Sequence, residues 1–289
     1  MMRGPTYVQE DEARLGGLGD RREVRMKRRE SVEAGMFVRR YGPSRGARGE
    51  ILFIHGLGDW GETFEVLVGH PALGRFRLLV PDLPGYGRSP LTGDPAGLDA
   101  LADFLAAWLR SRGKGPVAVV GHSMGGVLGQ ILAERNPECV SILVNVEGNI
   151  CEEDCTLSRA VTVYGPDDFL REGLDQIRLE ASLMAQSDPS VVVFARGLRL
   201  CDPRAFYLHA REIVELSRRN DLARRMAALP LPACFLAASP KGASPRAIAL
   251  LRSAGARLVI MEDCGHCPFH DRPDEFGTLL GEILEAAGQ

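Results

Sequence analysis

No run of about 18 apolar residues occurs anywhere in the 289-residue chain, so no membrane-spanning helix is expected. The first thirty residues are charged and contain no apolar h-region, which argues against a secretory signal. Positive charge is not in excess: the net charge is -3 and acids interrupt the Arg-rich patches, so the electrostatic footprint of a nucleic-acid binder is missing. Internal repeats and low-complexity tracts are lacking as well, which sets aside a repeat architecture.

What is present is the composition of an ordinary globular protein, 45% apolar and 25% charged, long enough for one large α/β domain or two ordinary ones. Seven cysteines without a signal segment favour reduced thiols, and hence a cytoplasmic location, over a disulfide framework. A local disulfide within Cys151/Cys155 or Cys264/Cys267 stays open. Zinc is set aside, because the single C-x-x-C straddles His266, which the chemistry below requires; no metal or other cofactor is expected.

Residues 1–22 show no periodic apolar pattern and read as a loosely held arm. Glu23 to Val32 and Gly35 to Arg40 alternate in character and predict an antiparallel hairpin at a sheet edge. From Ile51 onward short apolar runs alternate with helical stretches. The runs are 51–54, 77–80, 117–120, 140–146, 233–237 and 257–261, continuous enough for a parallel sheet buried on both faces. Leu98, Leu101, Ala102, Leu105, Trp108 and Leu109 recur at helical spacing, as do Phe276, Leu279, Leu280, Ile283 and Leu284, and both stripes read as core faces.

The alternation stops between 148 and 229. Only helical segments are expected there: 167–186, 188–200, 203–218 and 220–228. Val191 to Phe194 has strand propensity, but Asp188-Pro189 before it reads as a helix start. The division expected is therefore a core of 23–147 with 230–289, and a helical cap of 148–229 inserted before the penultimate core strand.

The chemistry centres on Val117 to Gly126, where four apolar residues run into Gly121-His122-Ser123-Met124-Gly125 and then into a helical segment. A serine at the apex of such a strand-turn-helix needs strained dihedrals, and small residues at Gly121 and Gly125 let strand and helix approach. A hydroxyl is a weak nucleophile, so Ser123 needs a base, and the base an orienting acid. His266 follows the last core strand on a short loop with Gly265, and parallel strands bring that loop to the same sheet edge as Ser123. Of the other histidines, His55 and His122 at strand ends read as orienting loop backbone. His70 and His209 have no catalytic neighbourhood, and His270 reads as a cap for the helix that Pro273 introduces.

With His55-Gly56-Leu57-Gly58, the Asp82 to Ser89 loop, the G-H-S-M-G-G turn, and Gly265-His266 followed by Pro273 and Phe276, the chain resembles the α/β-hydrolase superfamily over about residues 24–287. The resemblance implies the α/β-hydrolase fold, a mostly parallel central sheet with helices on both faces. It also implies an oxyanion hole from the backbone N–H groups of Leu57 and Met124, leaving their side chains free to shape an apolar pocket floor.

The third triad member departs from the pattern. Most members place an aspartate after the strand that follows the cap, but here Ala233 to Lys241 holds no carboxylate. Some relatives, certain haloalkane dehalogenases among them, take the acid from the strand before the cap. That strand ends Val146-Glu147-Gly148, and Glu147 is accordingly expected to orient His266. Asp263 is the main rival, three residues from His266 and constrained by that closeness; Glu152, Glu153 and Asp154 would need the cap to fold back; Asp82 reads as structural.

The expectation is a serine hydrolase acting on a small-molecule ester or acyl substrate. C–C hydrolysis, thioester cleavage, lactone opening and perhydrolysis on the same residues are the alternatives, with a non-catalytic receptor as the rival from another class. A serine at the turn argues against dehalogenase and epoxide hydrolase chemistry, which in relatives uses an aspartate.

Overall fold

The computed structural model describes residues 28–188 and 191–288. The arm expected at 1–22 and the first residues of the expected hairpin lie outside them. The hairpin forms from β1 (Arg29–Glu33) and β2 (Met36–Tyr41). Glu33 pairs with Met36 across a two-residue turn in which Ala34 and Gly35 both have positive φ, 49° and 83°, the hand that follows the twist of a hairpin.

The remaining strands are β3 (Glu50–Ile54), β4 (Arg77–Pro81), β5 (Val117–His122), β6 (Val140–Val146), β7 (Ala233–Lys241) and β8 (Leu258–Gly265). They form one eight-stranded sheet in the order β1-β2-β4-β3-β5-β6-β7-β8. The hairpin is the antiparallel edge, and β3 to β8 run parallel. β7 and β8 extend beyond the apolar runs at 233–237 and 257–261. A register shift between Ala238 and Pro240 lets pairing resume at Pro240↔Cys264 and Lys241↔Gly265 after the apolar pattern has ended.

Both faces of the sheet are covered, which is why the strands read as unbroken apolar runs. Along β5, Val117 and Val119 pack with α1 (Leu98–Ser111) and α2 (Met124–Arg135), whereas Ala118 and Val120 face the opposite cluster. Between β6 and β7 the described chain is helical: α3 (Thr156–Val161), then α4 (Pro166–Asp168) running through a π turn at Phe169–Gly173 into α5 (Leu174–Met184). These are followed by α6 (Val192–Arg199), α7 (Pro203–Arg218) and α8 (Leu222–Ala227). Val192 to Phe194 is helical, in a helix that starts at Val192 rather than at Asp188, and Pro189 lies outside the described residues. After β7, Ser244 accepts a bond from Ala247 N and starts α9 (Pro245–Ser253), a cap and first-turn proline that sequence inspection passed over. The chain ends with the short α10 (Pro268–Asp271) and α11 (Pro273–Ala286), which carries the expected Phe276/Leu280/Ile283/Leu284 stripe into the core.

The loop after β4 is tied down by Asp82. Its Oδ1 accepts from Arg39 Nη1 at 2.5 Å and from Gly61 N at 2.8 Å, and its Oδ2 accepts from Arg88 N at 2.7 Å. Both charged groups are sealed from solvent, Asp82 at 0% and Arg39 at 1% exposure. Asp82→Ala therefore leaves a buried guanidinium with only the more distant Glu65 Oε1, 3.7 Å from Arg39 Nε, and strands two N–H groups; it is expected to cost about 3–5 kcal/mol, read as a lower urea midpoint with unchanged slope. A loss below about 1 kcal/mol would show that the pair does not hold this loop.

Candidate active site

β3, β5, β6 and β8 all end on one side of the sheet, and each delivers a piece of the site there. After β5 the chain turns at Ser123, with φ 54° and ψ -119°, and enters α2 at once. A non-glycine residue held in this region carries strain of order 1–3 kcal/mol and persists only where its surroundings fix it. Ser123 N donates to Val146 O at 2.9 Å, and its carbonyl accepts from Gly126 N at 2.9 Å. The flanking glycines are required by space: a Cβ on Gly121 would lie 2.1 Å from Gly125 O, and one on Gly125 would lie 2.0 Å from Ile54 O.

Glu147 sits at the corresponding place after β6, also with positive φ, 54°. Its carboxylate is buried and fully occupied. Oε1 accepts from Ala238 N at 2.6 Å and Ala243 N at 3.1 Å, and Oε2 faces His266 Nδ1 at 3.2 Å. The segment where the resemblance expects an aspartate thus supplies N–H donors to a glutamate from the neighbouring strand. A side chain at Gly242 would close this cradle, since its Cβ would lie 2.6 Å from Glu147 Oε1.

The rivals are engaged elsewhere. Asp263 leaves 84% of its side chain in solvent beside Arg272. Glu152 pairs with Arg218, Glu153 with Arg246, and Asp154 accepts from Ile150 N, Cys151 N and Ser244 N.

His266 is set by its loop. Asp271 Oδ2 accepts from Gly265 N at 2.6 Å, and His122 Nε2 meets the His266 carbonyl at 2.8 Å. Burial pushes His122 well below the usual histidine range, so it is the neutral ring and donates through Nε2–H. Its ring packs against those of His266 and Phe269. His55 is likewise neutral, lowered to about 4 by burial; Nδ1 bonds Gly56 O, and Nε2 accepts from Leu83 N, tying the loop after β3 to the loop after β4.

Ser123, His266 and Leu57 line one cavity of about 420 Å³ between the ends of the parallel strands and the helices that follow β6. A groove of about 440 Å³ at the opposite ends of β3 to β5 includes Ser44 but no histidine to activate it. Two expectations need correction. Met124 does not line the cavity; its side chain is fully buried, with Sδ 3.9 Å from Tyr86 Oη, because α2 turns it into the core. His270 does not cap α11; its Nε2 lies 2.9 Å from Thr63 Oγ1 and it faces the cavity, since α10 forms ahead of Pro273 and redirects it. All seven cysteines are free, Cys267 alone of them partly exposed.

Asp59 in the cavity wall escaped sequence inspection, because only burial distinguishes it from a solvated loop carboxylate. It is 4% exposed, and its Oδ1 accepts from Trp60 N at 2.9 Å. Burial, with a smaller contribution from Asp82, pushes its carboxyl up to about 7.

A parallel sheet that presents a strained serine after one strand and a histidine after the last, with a glutamate between them, is the plan of an alpha/beta hydrolase. The chain belongs to the alpha/beta hydrolase family, whose model matches residues 51–278. It is 30% identical to the lipase LipV of Mycobacterium tuberculosis over 86% of this chain and 97% of that protein. It is 26% identical to the pimeloyl-[acyl-carrier protein] methyl ester esterase of Aromatoleum aromaticum over 82% of this chain and 98% of that one. Among solved structures, the enol-lactonase of Burkholderia xenovorans superposes with a TM-score of 0.70 at 19% identity, covering 89% of this chain and 99% of that chain, a likeness of fold.

The Asp59 environment has a measurable signature. Folded, the carboxyl keeps its proton to about pH 7, whereas unfolded it releases it near pH 4. The neutral form's contribution is therefore complete at low pH and is lost as pH rises through that window. The melting temperature of Asp59→Asn should gain on wild type between pH 5 and pH 8 by several degrees, about 2–3 kcal/mol, and level off above. A difference constant across this range would place the carboxyl in an ordinary solvated setting.

Proposed function

We propose that this protein is a serine hydrolase that cleaves a carboxylic ester through an acyl-enzyme, with Ser123 as nucleophile, His266 as general base and acid, and Glu147 as the orienting acid. The observation that carries this reading is the 3.2 Å contact of His266 Nδ1 with a Glu147 carboxylate already anchored by two backbone N–H groups, with His266 and Ser123 lining the same cavity. With Nδ1–H committed to Glu147, Nε2 is the free base. Ser123 Oγ adds to the ester carbonyl carbon as its proton passes to Nε2. The oxyanion is met by the N–H of Leu57 and by that of Met124, the first residue of α2, whose N–H the helix cannot pair. Collapse returns the proton from His266 to the departing alkoxide and leaves acyl-Ser123. Water, deprotonated by His266, then releases the acid.

The names of the two relatives, a lipase and a methyl ester esterase, support an ester as the bond cleaved. Residues 148–229 are the cap in this reading, closing the cavity over the core of 23–147 and 230–289. Seven free thiols suit a reducing cytoplasm.

A fluorophosphonate probe should label wild type and not Ser123→Ala, and p-nitrophenyl ester hydrolysis should follow the label. Glu147→Gln is the sharper test. The N–H groups of Ala238 and Ala243 demand an oxygen at the Oε1 position, so the amide NH₂ is turned toward His266 and imposes the wrong tautomer. A fall in kcat of about 10⁴-fold is expected with the fold intact. Turnover within a few-fold of wild type would remove Glu147 from the triad.

A further inference from the structure

The cavity has two chemical halves. Ile177 and Ala181 of α5 and Ile213 of α7 supply apolar lining, with Glu180 of α5 the carboxylate among them. The other half adjoins the histidine loop and holds Asp59, Thr63, Cys267 and His270. Thr63 Oγ1 and His270 Nε2 are 2.9 Å apart, and the Thr63 hydroxyl also hydrogen-bonds the Asp59 carboxyl. Asp59 is the unusual member. It is more than nine-tenths buried, it lines the cavity, and among the described residues no cation pairs with it. Its one backbone donor is Trp60 N, on Oδ1. With Trp60 N and the Thr63 hydroxyl as donors to about four acceptor sites, the buried carboxyl has acceptor capacity left over. Among the described residues that line the cavity there is no lysine or arginine, whereas Asp59, Asp154 and Glu180 are present.

The histidine loop fixes which part of a substrate would meet this half. His266 hands its proton to the leaving oxygen, so the alcohol departs along the histidine side, toward Cys267 and His270. The acyl group is left to the apolar half.

Resting on the serine-hydrolase reading, we infer that Asp59, with Thr63 and His270, forms a leaving-group subsite. It selects esters whose alcohol carries a hydrogen-bond donor, a hydroxyl or an ammonium, and turns away anionic alcohols. A donor on the alcohol supplies what the carboxyl lacks, and His270 and Thr63 can reorient their shared proton to accept or donate beside it. A carboxylate or phosphate on the alcohol would face Asp59 with no cation to offset it.

Four butyrate esters matched in size test this: n-propyl, 2-hydroxyethyl, 2-(dimethylammonio)ethyl and carboxymethyl, followed by pH-stat at pH 7.5. For wild type, kcat/KM for at least one donor ester should exceed that of the propyl ester by about tenfold or more, and the carboxymethyl ester should fall below it by a similar factor. Preference for the ammonium ester alone would identify charge as the recognised feature, and preference for the hydroxyethyl ester as well would identify the hydrogen bond; either supports the subsite. In Asp59→Asn the donor-to-propyl ratio should drop at least about fivefold, with fluorophosphonate labelling of Ser123 reporting an intact fold. Propyl ester turnover with no donor preference, or with a ratio unchanged in Asp59→Asn, overturns the subsite and leaves the hydrolase reading standing. Failure of wild type to turn over any of the four esters or to take the probe overturns the hydrolase reading, and the subsite with it.

Discussion

The carboxylate of Glu147 is the constraint on which the rest of the site depends. A buried anion must have its hydrogen bonds met or it destabilises the fold, and among the described residues no lysine or arginine pairs with this one. Its requirement is met across strands, by Ala238 N and Ala243 N from the end of β7 and by His266 Nδ1 from beyond β8. One side chain therefore fastens three strand ends together. The chain after Ala238 has to bend back over the carboxylate to bring Ala243 N within reach, and Gly242 occupies the point where any side chain would strike Oε1. The register shift between Ala238 and Pro240 falls in the same stretch.

Two residues in this site share an uncommon positive φ. Ser123 and Glu147 each follow a parallel strand with φ 54°, and they lie next to each other in the sheet, linked by the bond from Ser123 N to Val146 O. Strain of this kind survives when packing leaves the backbone no alternative. Asn145 shows how little space there is. It is buried in β6, its Oδ1 accepts from Gly148 N, and a Cβ on either Gly126 or Gly148 would run into that oxygen at about 2.1–2.2 Å. The turns at Ser123 and Glu147 are thus packed as one unit, which accounts for glycine on both sides of it.

Much of this was legible in the chain. The parallel strands are visible because burial on both faces removes polar alternation, and the turn at Ser123 because close approach leaves only glycine at its flanks. The placement of Glu147 against His266 was legible through an absence, since no carboxylate occupies Ala233 to Lys241. The roles of the N–H groups of Ala238 and Ala243 were not, because backbone donors carry no sequence signature. Met124 and His270 were misjudged for one reason: a residue next to a functional one can point either way, and the direction is set by where α2 and α10 begin. Asp59 could not be told from a solvated loop residue until the helices after β6 were set over it.

Those helices are fastened to the core by polar contacts as well as apolar ones, and the fastening defines what the cavity can hold. His209 of α7 bridges Tyr86 Oη and the Ala96 carbonyl, each at 2.8 Å. Glu212, one turn on, accepts from Leu98 N and so caps α1, whose own preceding residue, Gly97, has no side chain to do so. Trp60 Nε1 reaches the Val193 carbonyl in α6. Contacts to Tyr86 and Trp60 attach the helical segment to the loops after β4 and β3, and the Trp60 backbone N–H is the Asp59 donor. Any movement of α6 away from the core would pull on Trp60, and with it on the turn that carries Leu57 and Asp59. The contact to α6 and the donor to the buried carboxyl thus meet in one residue, Trp60.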